Sequence, residues 1–166
     1  MFRVGEKAVY PAHGVGEILA IERREIMGKC MEVYVMRILD REMTILIPIC
    51  KSQEVGLRRV MGQDEVDAVF QVLRQRRRVS DSQTWNRRFR EYSDKIRTGS
   101  AVEIAQVLRD LYLLRSGKNL SYGEKRMLNT AMELLSQEIA VAWGQKTSQA
   151  QAQILSAFGD VVHGEA

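Results

Sequence analysis

The sequence predicts an α+β chain: a small Tudor- or SH3-like β-barrel over residues 1–60, then a compact all-α half of about five helices over residues 61–166. Three observations predict it. Apolar residues fall in short Val-, Ile- and Tyr-rich runs up to about residue 60 and recur at helical spacing from residue 62 onward. Both prolines, Pro11 and Pro48, lie in the first half, so nothing breaks a helix in the second. Capping-box spacings, a Ser followed three residues later by Glu or Gln, recur at Ser80–Gln83, Ser100–Glu103 and Ser121–Glu124.

The strands come first. The runs "KAVYP", "VGEILAIE", "MEVYVMRIL" and "MTILIPI" are separated by "AHG", "MGK" and "DRE". Gly14 and Gly16 suit a tight bend or bulge. Five short strands in so small a span imply a barrel, because closure removes sheet edges. From residue 62, "DEVDAVFQVLRQ" sets Val66, Val69, Phe70 and Leu73 on one helical face. Helices are expected at 62–74, 82–97, 101–115, 122–143 and 149–158, with Gly99 and Gly117 as stops and Thr147 or Ser148 as the last start. The tail "HGEA" is expected to fray.

Composition narrows the function classes. The chain is 45% hydrophobic and 28% charged, which is ordinary globular usage. No apolar run is long enough to span a membrane, and the N-terminus lacks a signal-peptide core. Cys30 and Cys50 form no CxxC; they fit a reduced cytoplasmic protein and read as small strand hydrophobes. With only His13 and His163, and no HExxH or phosphate-binding GK[ST], an enzyme is not expected, nor a metal or other cofactor. His13, in "AHGVGE", reads as a turn residue. Net charge is +4, but residues 74–97 hold nine Lys or Arg against three acids, a local footprint for a polyanion.

Two stretches raise functional questions. In "MTILIPI", Ile45, Leu46, Ile47 and Ile49 make both strand faces apolar, so the outer face needs a cover, either the helical half or another protein. In "TWNRRFREY", Trp85, Phe89, Tyr92 and Ile96 form one helical stripe, which favours burial of the last three. Arg87, Arg90 and Arg97 fall on another side, and Arg88 flanks the stripe. Trp85 lies in the first turn, where free N–H groups favour phosphate; core residue and exposed wedge are both open to it.

"VGEKAVYPAHGVGEI", "LIP" at 46–48, "TWNRRFREY", "EIAQVLRDLYLL" and "LSYGEKRMLNTA" closely resemble the CarD/CdnL family of bacterial transcription regulators, over essentially the whole chain. The resemblance implies a Tudor-like N-terminal domain that docks on the β subunit of RNA polymerase by pairing a strand edge, and a helical DNA-binding domain. It implies that Trp85 wedges into the minor groove at the upstream edge of the transcription bubble, with Arg87, Arg88 and Arg90 on DNA. It matches Arg24, Ile26, Leu46 and Pro48 to the polymerase-binding surface. Leu46 departs from the basic residue of the actinobacterial branch, so that contact is apolar here. The expected protein is thus a cytoplasmic monomer that stabilises the open promoter complex, with no membrane partner and no small-molecule substrate. Two other readings are a sequence-specific transcription factor acting through the basic helix at 82–97, and a pure protein-interaction module in which Trp85 is core.

Overall fold

The computed structural model describes residues 1–76, 85–117 and 119–162. The chain forms two compact units, Met1–Val60 and Met61–Ala166. The class is the expected one, α+β, and the described residues form a five-stranded antiparallel sheet followed by five helices.

The first unit holds β1 (Lys7–Tyr10), β2 (Gly14–Ile26), β3 (Lys29–Ile38), β4 (Met43–Pro48) and β5 (Arg58–Arg59). They are ordered β4-β3-β2-β1-β5. Two strands are longer than the sequence suggests, 13 residues for β2 and 10 for β3. They make one hairpin whose turn residues, Met27 and Gly28, both have positive φ (53° and 77°). That is the two-residue turn whose twist matches the strands. Gly16 is required by packing rather than by a bend, since a Cβ there would fall 2.4 Å from the Met36 side chain. The bulge sits instead between Ile18 and Ala20, with Leu19 as the extra residue. His13 does occupy the turn after β1, its N–H donating to the Tyr10 carbonyl at 3.0 Å.

Alternation sends Ile18, Tyr34, Met36, Ile38 and Ile47 into the core with Ala8 and Leu57. Cys30 and Cys50 depart from the expectation: both are exposed free thiols, one beside the hairpin turn and one in the short 3-10 turn Ile49–Lys51. Closure does not remove the edges either. β4 pairs with β3 alone among the described residues and ends the ladder.

The second unit holds α1 (Gln63–Arg74), α2 (Trp85–Thr98), α3 (Ala101–Gly117), α4 (Tyr122–Trp143) and α5 (Thr147–Val162). Val66, Val69, Phe70 and Leu73 of α1 are buried as their spacing requires. They join Leu108, Leu111, Leu135, Ile139, Ile154 and Phe158 in one core. Ser121 and Glu124 form the complete capping box of α4, worth about 0.5–2 kcal/mol by the usual cost of losing a cap. At α3 the box is only half formed. Ser100 accepts from the Glu103 N–H, but the Glu103 carboxylate turns to the Thr98 hydroxyl, which itself accepts from the Ser100 N–H. Gly99 (φ 74°) and Gly144 (φ 63°) end α2 and α4 in the left-handed conformation. The Ser80–Gln83 pair, Arg77, Arg78, the expected first turn at 82–84 and the tail 163–166 lie outside the described residues.

Candidate functional site

Two surfaces carry the residues singled out in the sequence, one on each unit. On the sheet, register and pleat put all four candidate docking residues on one face. Leu46 pairs with Val35, and Val35 with Ala20; Pro48 pairs with Val33, and Val33 with Glu22. Two residues on from Glu22, Arg24 pairs with Met31, and Ile26 with Lys29. Directly paired residues share a face, as do residues two apart on a strand, so Arg24, Ile26, Leu46 and Pro48 stand together opposite the core.

Leu46 is 41% exposed, while Ile45 and Ile47 of the same strand pack on the core. The strand is therefore less two-sided than its composition suggests, because Thr44 shares the outer face with Leu46 and Pro48. Arg24 is exposed and paired with Glu22 at 2.8 Å. A surface pair of this kind contributes little stability and leaves the guanidinium available to a partner. Beside this face runs the free side of β4, with main-chain groups of the kind that accept an added strand.

On the helical unit, α2 contradicts two of the sequence expectations. Phe89, expected in the core, is 46% exposed. Arg88, expected at DNA phosphates, is 5% exposed and buried. The inward face of α2 is Arg88, Tyr92 and Ile96, a run of i, i+4 and i+8 rather than the all-apolar stripe. The physical reason comes from the neighbouring helices. Asp110 of α3 and Glu124 of α4 are both buried, and with Arg88 they act electrostatically on Tyr92. Asp110 already has a buried cation in Arg109, and Arg88 turns inward with Tyr92 on the side of α2 that packs against α3.

Burial first, then the Asp110 carboxylate, pushes the Tyr92 phenol up to about 12, with Arg88 acting in the opposite direction. Arg109, also buried, donates to Asp110 at 3.0 Å and to the Gln75 side chain at 2.7 Å. Arg109 thus ties α3 to Gln75, the residue that ends α1.

Trp85 opens α2 on the same helical side as the buried Tyr92, seven residues on, and is only partly covered there. Its indole is half-buried, edge-on to Phe89 with ring centroids 5.5 Å apart, and the Arg88 guanidinium lies 5.9 Å from its centroid. Gly123, in the first turn of α4, lies against the ring. Arg87 and Arg90 are exposed on another side of α2, and Arg87 makes a loose 3.8 Å pair with Glu91. The structure pairs the rings of Trp85 and Phe89, while Arg87 and Arg90 of the same helix face solvent. Arg88 supports that pair from within. Phe89 was legible as an aromatic but not as a surface one, and no sequence signal marked Gly123. Among the described residues, no cluster of His, Cys, Asp or Glu could hold a metal ion, and no helix is long and apolar enough to cross a membrane.

Comparison with known proteins matches both units. Residues 2–61 match the CarD-like/TRCF RID domain, and residues 68–155 match the CarD C-terminal domain. The protein YdeB of Bacillus subtilis (strain 168) is 35% identical over 147 residues, which span 87% of this chain and 94% of YdeB. Among solved structures, "CdnLNt from Myxoccoccus xanthus" is 48% identical, covers 38% of this chain and 89% of that one, and gives a TM-score of 0.32.

Proposed function

Because the chain belongs to the CarD/CdnL family of transcription regulators, we propose that it docks on the β subunit of RNA polymerase through its sheet unit and stabilises the open promoter complex through its helical unit. In this reading the free side of β4 extends into a strand of the polymerase, and Leu46, Pro48, Ile26 and Arg24 flank the added strand. Main-chain hydrogen bonds supply affinity and the side chains supply specificity. Trp85 enters the minor groove where duplex gives way to separated strands. An apolar wedge there offsets the cost of unstacking, which is about a few kcal/mol per step. Arg87 and Arg90 hold phosphates and read no sequence. The protein acts as a single copy in the cytoplasm, without cofactor or chemical step.

The observation that carries the reading is the half-buried Trp85 indole paired with the exposed Phe89 ring on a helix whose Arg87 and Arg90 also face solvent. It is suited to a polyanion with accessible base steps. The test is the lifetime of the open promoter complex on several promoters, with wild type and Trp85→Ala. Trp85→Ala is expected to melt close to wild type, to bind polymerase as before, and to shorten the lifetime on every promoter. An unchanged lifetime overturns the reading. Tight binding of the free protein to one DNA sequence, without polymerase, would favour a sequence-specific factor acting through α2 instead.

A further inference from the structure

We propose that Gly123 is the seat of the Trp85 indole: α4 carries no side chain at this position because the ring occupies the space, and Gly123 and Arg88 together fix the direction in which the wedge points. The inference deepens the function proposed above and rests on it.

Gly123 lies inside the first turn of a 22-residue helix, where glycine is a poor choice. Its backbone does not need glycine, since it has an ordinary helical φ and is absent from the left-handed positions of the chain. The turn is already capped by Ser121 and Glu124, so Gly123 has no capping duty. What the position lacks is room. A Cβ at Gly123 would lie 3.2 Å from Cζ2 of Trp85 and 3.7 Å from Cε2 and Nε1. The first distance is tighter than ordinary van der Waals contact, so either the indole or the helix must give way.

The second support comes from α2 itself. Arg88 is buried one turn beyond Trp85 and holds its guanidinium 5.9 Å from the indole centroid, within cation–π range. Arg88 is itself enclosed, only 5% exposed and on the buried side of α2 with Tyr92 and Ile96. The ring is thus bounded by a helix backbone and by a guanidinium that the surrounding packing holds in place. A wedge must meet a base step at one angle, and a ring free to turn about χ1 would lose that angle. Gly123 and Arg88 act through Trp85, so both are positioning residues.

The experiment compares Gly123→Ala, Trp85→Ala and Trp85→Phe, the last with and without Gly123→Ala, in the full-length chain. Alanine is the better helix former, so Gly123→Ala should melt at or above wild type and bind polymerase unchanged. Its open complex should nonetheless decay about two- to tenfold faster, the fold-change that corresponds to an indole pushed off its rotamer. In the Trp85→Phe background the smaller ring lacks Cζ2, so adding Gly123→Ala should change the lifetime no further. A direct readout uses Trp143→Phe, which leaves Trp85 as the only tryptophan: Gly123→Ala should then shift its emission and its quenching by acrylamide.

A Gly123→Ala lifetime equal to wild type, alongside a shortened one for Trp85→Ala, overturns the seat and spares the wedge. An unchanged lifetime for Trp85→Ala itself overturns the wedge, and unchanged Trp85 emission in Gly123→Ala overturns the seat whatever the lifetimes. A melting temperature lowered by Gly123→Ala as far as by Tyr92→Ala also overturns it, because the ring is then part of the core.

Discussion

The free side of β4 and the first turn of α2 expose similar chemistry, an apolar side chain with an arginine on the same surface, yet they reach it by different routes. At β4 the pleat decides. Ile45 and Ile47 turn in, Leu46 and Pro48 turn out, and pairing with β3 carries the assignment across to Val35 and Val33. At α2 the neighbours decide. Phe89 and Arg88 are adjacent and almost equally placed on the helix, and packing against α3 turns Arg88 in and leaves Phe89 out. A strand carries its own in-or-out rule, whereas a helix takes its phase from what it packs against.

The sharpest way to break this comparison is to truncate the two aromatics of α2 separately. Tyr92→Ala should destabilise the protein by about 3–5 kcal/mol, the cost of a buried aromatic. Phe89→Ala should cost less than about 1 kcal/mol, because its ring is half in solvent already. Chemical denaturation measures both, and equal losses would return Phe89 to the core.

The strand side is tested by Leu46→Glu. It should weaken co-purification with the polymerase β subunit by about 2 kcal/mol, the scale of an interface hot spot, with no change in melting temperature. Unchanged binding by the folded variant would move docking away from this face.

The buried cluster around Tyr92 makes a pH prediction. Its phenol is pushed up from 10.0 to about 12, so the stability it contributes is complete below pH 10 and is lost as pH rises towards about 12. Each pH unit inside that window removes about 1.4 kcal/mol. Tyr92→Phe should flatten that part of the alkaline denaturation profile, and an identical slope in both proteins would place the phenol in water.

The smallest effect separates the arginines. Arg87→Ala and Arg90→Ala should each reduce the salt dependence of DNA binding by about one unit of slope, equally on different sequences. Arg88→Lys should keep the slope and lower the melting temperature, since lysine retains the charge but cannot reproduce the guanidinium's planar contacts. The reverse pattern would return Arg88 to the DNA surface.

The sequence by itself determined most of the architecture. The change of period near residue 62, the α1 face and the Ser121–Glu124 box are local patterns, and the chain realises each of them. The two-sided apolar reading of "MTILIPI" did not survive: pairing with β3 put Leu46 and Pro48 on one side of the sheet and Ile45 and Ile47 on the other. Tertiary structure decided the rest. It set the lengths of β2 and β3, moved the bulge to Leu19, paired β4 on one side only among the described residues and placed Cys30 and Cys50 at the surface. It also exchanged Phe89 for Arg88 and brought Gly123 against Trp85. Periodicity records which residues share a face of one element. Which flank of that face turns inward depends on other elements, which meet α2 only in the folded chain.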